Sequence, residues 1–283
     1  MRSALATRPP LRPAWLARWP RSLLAGTRML AGAVLVAFIG PWFTADPLEL
    51  NLSAALQPPS LEHWFGTDNY GRDVFSRVIN ATRIDLAFGF FSVLPTLVIG
   101  TILGILAGTV RWFDAILMRV VDVVVAFPFY VLIIAIVASL GPGVTNMFIA
   151  VIIVGWASYA RLVRSEVLLV ARHQYVEAAQ VLGLSTSRVL RRHVLPNVIV
   201  QPVLLATTNF SAWILVGSAL GFLGLGVQPP TPEWGVMIGE GRAFLGQAPW
   251  MAILPGLAIF YVCYAAILIG DGLSDVLRPE VAR

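Results

Sequence analysis

The chain is 283 residues long, 58% hydrophobic and only 12% charged, with a mean hydropathy of +0.79. Such a composition excludes an ordinary soluble domain and places the chain in a membrane, with spans readable as runs of about 20 apolar residues. A net charge of +5 and a pI near 10.0 would suit a nucleic-acid partner, but membrane topology accounts for the basic excess and no nucleic acid is expected.

Residues 1–28 form an arm rich in Arg and Pro that superficially imitates a signal peptide. No small-residue cleavage site follows Phe43, so the arm reads as cytoplasmic, ahead of an uncleaved first span over residues 29–43. Residues 44–85 make an acidic segment on the periplasmic side. Within it Asp68 and Arg72, then Asp73 and Arg77, stand at i, i+4. That spacing predicts a surface helix from Thr67 or Asp68, laced by weak ion pairs, in preference to a substrate contact.

Residues 86–270 hold five further spans: Leu86 to Val110, Val123 to Leu140, Met147 to Ala160, Val198 to Gly226 and Trp250 to Gly270. Gly100, Gly104 and Gly108 make a small-residue stripe suited to close helix packing. Arg119 and Asp122 are expected to pair at the headgroup level. Pro95, Pro128, Pro202 and Pro255 each predict a kink. Asn209 is the candidate for a residue facing a translocation path, an interhelical hydrogen bond explaining it equally well. The loop from Gln228 to Trp234 reads as a stiff outer connection, or a docking element, with an exposed aromatic. Residues 271–283 are a cytoplasmic tail.

Between the fourth and fifth spans lies a polar insert, residues 161–197. Tyr175, Ala178, Ala179 and Leu182 recur at i, i+3, i+4 and i+7, one narrow apolar helix face. Gly183 stops that helix as a left-handed cap. Ser185 to Ser187 offer hydroxyls to a second N-terminus, and Val189, Leu190, His193 and Val194 form a second face that ends before Pro196. The insert is predicted to be a helix, a turn and a helix.

Here the chain resembles a family. Glu177-Ala178-Ala179, then Gly183, then His193-Val194-Leu195-Pro196 is similar to the EAA loop of ABC importer permeases, with His193 where isoleucine is usual. The His-Val-Leu-Pro-Asn run, the block FGTDNYGRDVFSR from Phe65, the block GFLGLGVQPPTPEWGVMIGE from Gly221 and GDGLSDVLRP from Gly270 resemble the C-type subunit of the dipeptide, oligopeptide and nickel subgroup. The resemblance implies an all-α membrane protein with six transmembrane helices, the type I ABC importer permease fold and a cytoplasmic EAA coupling helix. It implies as partners a homologous B-type permease, two ABC ATPase subunits and a periplasmic substrate-binding protein, in a bacterial inner membrane. Tyr175, Glu177, Ala178, Ala179, Leu182, Gly183, Leu195 and Pro196 would couple the chain to an ATPase. Glu177 would cap its helix or meet an ATPase arginine, Gly183 would permit the turn, and Pro196 would set the exit into the fifth span.

All 20 basic residues are Arg. Sixteen are Arg111, Arg119 and those of the arm, the insert and the tail, whereas Arg72, Arg77, Arg83 and Arg242 fall on the other side. This asymmetry puts both termini and the insert in the cytoplasm. Without a lysine the chain has no Walker A loop and no Schiff-base chemistry, so ATP and Mg are expected on partner subunits and no cofactor on this chain. His63, His173 and His193 show no ligand spacing, so neither a metal site nor an enzyme is expected. Di- or oligopeptide import is the implied function, with nickel or metal-chelate import the alternative. A secondary transporter or channel would need mid-span carboxylates or repeated broken helices, and a scaffold would leave the insert unexplained.

Overall fold

The computed structural model describes residues 19–277, the side chains of Gln180 and Thr186 excepted. The described residues are helical and joined by turns. Among the described residues five helices are long and apolar enough to cross a membrane, and a sharply bent helix pair makes a sixth when its two halves are counted as one span.

Helix α1 (Arg21–Ile39) begins ahead of the expected Met29 and runs into a 3-10 turn at Gly40–Phe43. It packs antiparallel on the last helix, α11 (Trp250–Leu277). The helices meet where side chains vanish: a Cβ on Gly26 would lie 2.6 Å from the Ala265 carbonyl oxygen, and one on Gly272 would strike the Leu23 backbone.

Helix α2 (Val74–Thr109) is capped by Asp73, whose carboxylate accepts the Ser76 N–H at 2.7 Å. It therefore starts later than Thr67 or Asp68. The Asp68 carboxylate instead accepts the N–H groups of Tyr70 (2.8 Å) and Arg72 (3.0 Å), folding 68–72 into a tight turn with Gly71 at φ +74°. A side chain at Gly71 would collide with the Asn51 carbonyl, so this turn requires glycine twice over.

The glycine stripe of α2 lies against α5 (Val144–Val170). A Cβ on Gly104 would sit 2.7 Å from both Ala160 O and Val163 Cβ, and one on Gly108 would sit 2.6 Å from Val167 Cγ1. The stripe is helix packing.

The third span departs from the expected Val123–Leu140 run. Helix α3 (Arg111–Ala126) and helix α4 (Phe129–Leu140) meet at a 91° bend. Pro128 has no N–H to donate, and Phe127 before it adopts the extended backbone that residues preceding proline prefer (φ −83°, ψ 142°). At 1.5 Å per residue α4 is about 18 Å long, short of a hydrocarbon core of about 30 Å. Pro95 and Pro255, by contrast, lie inside unbroken helices.

After α5 come the short helices α6 (Gln174–Val181) and α7 (Thr186–Val189). A π turn at Leu190–Val194 and α8 (Leu195–Val198) lead into α9 (Val200–Phe222). Pro202 falls in the first turn of α9, where a missing N–H costs nothing. The polypeptide then returns through α10 (Trp234–Gly241) to α11. One apolar core joins α1, α2, α9, α10 and α11 through Ala37, Val78, Ile214, Trp234 and Met251; another joins α4, α5 and α9 through Ile133, Val151 and Trp213.

Candidate functional site

The insert is built outward from a valine cluster. Val163, Val167 and Val170 at the end of α5 pack with Val189, Val194 and Val198 of the second arm, and Val176 and Ala179 of α6 drop between them. Val176 is fully buried and Ala179 is 7% exposed. Burying a valine contributes about 1.5–3 kcal/mol, so this seat holds a short helix that would not persist alone.

The expected face of α6 therefore divides. Tyr175, Ala178 and Leu182 point outward, Leu182 80% exposed, while Ala179 turns inward. Val181, not foreseen as part of the face, is 88% exposed beside Leu182. Val176, also unforeseen, is the anchor; its β-branched apolar side chain beside the regular spacing was the available signal. Glu177 is exposed in the first turn of α6, where the helix dipole favours its charge.

Gly183 closes α6 at φ +81°, and the Leu184 N–H reaches back to the Ala179 carbonyl at 3.2 Å. That is the left-handed cap expected from sequence. The second arm differs from expectation: it does not end before Pro196. The wider π turn accommodates the residue that cannot donate, and the helix proceeds through exposed Pro196 and half-buried Leu195 toward α9. Tyr175 fastens the two arms. Its ring stacks on His173 at 5.6 Å and lies 6.3 Å from that of His193, and its hydroxyl accepts from Asn197 Nδ2 at 3.3 Å. His193 thus uses its aromatic ring at the position where the pattern departs from isoleucine.

Two arginines bind the approach to the insert onto α3. Arg164 grips Asp114 through two hydrogen bonds of 2.6 and 2.7 Å, and Arg161 reaches Asp122 at 2.5 Å. Asp122 therefore pairs with Arg161 instead of the expected Arg119. Asn209 lies apart from the insert, half-buried on α9 and facing the buried hydroxyl of Tyr159 on α5.

The opposite face carries a charge network that sequence spacing misread. Asp68 and Arg72 are each 3% exposed and Arg77 is 1% exposed, so the expected surface helix is instead a buried cluster. Arg72 bonds Asp68 at 2.5 Å, and Glu240 of α10 accepts from Arg72 at 3.1 Å and from Arg77 at 2.8 Å. Asp73 meets His63 at 3.0 Å rather than Arg77. Trp234, expected to be exposed, is 1% exposed, and its indole donates to the Val78 carbonyl at 3.2 Å.

Beside Trp234 lies a cavity of about 780 Å³ whose lining includes Asn80, Arg83, Asp85, Phe88, Met147 and Glu233. Glu233 caps α10, accepting the N–H groups of Gly235 and Val236, each at 2.8 Å. Burial pushes its carboxyl above the usual carboxylate range, against the pull of those donors. Among the described residues no cluster of three or more His, Cys, Asp or Glu side chains is placed to hold a metal ion.

Residues 100–283 match the family described as binding-protein-dependent transport system inner membrane component. The chain is 42% identical to a dipeptide transport system permease protein of Alkalihalophilus pseudofirmus, over 91% of this chain and 86% of that one. It is 40% identical to a glutathione transport system permease protein of Pectobacterium atrosepticum, over 96% and 93%. A putative peptide transport system permease protein of Brucella suis is 39% identical over 92% and 88%. With its multi-pass helical fold, seated insert and family match from the last part of α2 through α11, the chain belongs to the binding-protein-dependent transport system inner membrane components, the permease subunits of ABC importers.

Proposed function

We propose that this chain is one of two non-identical permease subunits of an ATP-driven importer of di- or oligopeptides, carrying substrate released by a periplasmic binding protein. The observation that carries the coupling role is the divided face of α6: Val176 and Ala179 are locked into the fold while Tyr175, Ala178, Val181 and Leu182 are left uncovered. An exposed apolar helix face on a polar insert suits a helix-in-groove contact with an ATPase subunit. The peptide substrate is supported by the names of the relatives.

The arginine asymmetry supports a cytoplasmic insert and cytoplasmic termini. ATP and Mg then belong to two ABC ATPases, and a B-type permease completes the path. Closure of the ATPases displaces α6, and the valine seat passes the displacement to α5 and, through the π turn, to α9. The ATPases shift an inward/outward equilibrium only by the difference in their contacts with its two states. Coexpression with the candidate partner subunits and reconstitution in proteoliposomes tests this reading. Uptake of labelled di- and tripeptides that requires ATP and the binding protein supports it. Uptake of nickel chelates without peptide uptake, or transport by this chain alone, overturns it.

A further inference from the structure

Asp85 of α2 and Glu233 at the head of α10 are each 3% exposed and line the same cavity; Asp85 accepts the N–H of Trp234, the residue next to Glu233, at 3.2 Å, which sets the two carboxyl groups beside one another. No cation forms an ion pair with either among the described residues. Two adjacent carboxyls in so dry a wall do not both ionise; one of them keeps a proton. Glu233 receives an N–H on each oxygen at the positive end of α10, whereas Asp85 receives one longer bond, 3.2 Å from the Trp234 N–H. The donors favour charge on Glu233, which leaves the proton on Asp85.

The packed surroundings offer no substitute. On α2, Arg83 lines the same cavity, but its guanidinium lies over the Phe38 ring of α1 at 5.9 Å. Helix α9 presents the Ser218 hydroxyl to Glu233, and on α11 the Cys263 thiol, within the field of Asp85, donates to the Ser211 carbonyl at 3.8 Å. Helix α5 contributes Met147 and Phe148 to the cavity, and α10 meets the pair with its backbone N–H groups.

We propose that Asp85 is a positioning residue holding one proton shared with Glu233, and that this proton clasps the capping end of α10 to α2 in the cavity wall. The cavity gives the proton a route to the medium. At low pH the clasp is closed. As pH rises the proton leaves, two adjacent carboxylates repel, and the head of α10 loosens while Glu240 still holds its other end. The folded pair binds a proton that separated carboxyls of an unfolded chain release by neutral pH, so its contribution to stability is present at low pH and lost as pH rises. On the importer reading above, this places a proton-sensitive joint on the face that meets the binding protein.

Infrared difference spectra and thermal melting of the purified complex in nanodiscs, recorded across pH, test the assignment without any transport measurement. The parent should show a protonated-carboxyl C=O band that fades as pH rises, with its melting temperature falling over the same range. Asp85→Asn should lack that band, keep an amide donor for Glu233 and melt without the parent's pH dependence. Asp85→Leu, which has no donor, should melt below Asp85→Asn at every pH. A parent with no protonated-carboxyl band at neutral pH, or an Asp85→Asn variant that keeps both the band and the pH-dependent melting, overturns the proposal. Because no readout involves substrate, its failure is separable from failure of the importer reading.

Discussion

Arg77 and Glu240 stand 163 positions apart in sequence, yet the guanidinium donates to the carboxylate at 2.8 Å, joining the start of α2 to the end of α10. Arg72 meets the same Glu240 oxygen at 3.1 Å, so one carboxylate answers two nearly fully buried arginines. Removing it leaves Asp68, 2.5 Å from Arg72 and 3.7 Å from Arg77, to face two buried cations by itself, a loss that exceeds the modest net worth of an intact pair.

Glu240→Ala should therefore destabilise the chain by about 3 kcal/mol, at the low end for a broken buried pair because the carboxylate is itself 20% exposed. Thermal melting of the purified complex measures it. Glu240→Gln, which retains acceptor capacity without the charge, should lose less.

At the insert, two apolar residues six positions apart should behave oppositely. Val176→Ala removes buried methyl groups and should cost about 1–2 kcal/mol of stability. Leu182→Ala, at a side chain 80% exposed, should leave melting unchanged within about 0.5 kcal/mol and instead weaken retention of the ATPase subunits. Affinity purification with quantified ATPase recovery separates the two, and equal recovery from parent and Leu182→Ala would remove Leu182 from the docking face.

Gly183 tests the turn by itself. Nothing among the described residues lies within 4 Å of an added Cβ, so the penalty for Gly183→Ala comes from the φ of +81° and should be about 1–2 kcal/mol. Gly183→Asn, better tolerated in that region, should cost less. Gly183→Asp should leave the chain inserted in the membrane but uncouple ATP hydrolysis from uptake, checked by comparing both rates in proteoliposomes at equal subunit content.

The α2–α5 contact sets a steric limit. A Cβ at Gly104 meets the Ala160 carbonyl, a backbone atom that cannot rotate away, so Gly104→Ala should cost about 1–3 kcal/mol and Gly104→Leu should prevent assembly. Melting of the alanine variant and membrane yield of the leucine variant report these effects.

Local chemistry made several elements readable in advance. Gly183 and the serines after it marked the helix-turn-helix, and the four-residue glycine spacing marked a close helix contact. Span positions were legible because lipid demands long apolar runs. Their ends were not: α1 and α2 both begin ahead of the apolar windows, α1 running through exposed Arg21 and Arg28 and α2 through Arg77, which Glu240 holds. Pro128 was foreseen as a kink, but a 91° break was not; Pro95 and Pro255 show that the same residue can leave a helix unbroken.

What the sequence determined by itself was the solvent and the local backbone: a lipid-embedded helical chain with no lysine, and an insert turning at a glycine. What only the tertiary structure decided was the company each side chain keeps. The spacing of Asp68 and Arg72 fits a solvated helix as well as a buried turn, and nothing in a run of residues foretells Glu240 closing over them or Asp85 meeting Glu233. The physical reason is that the free energy of a charge depends on its burial and its distant partners, which exist only once the helices have packed.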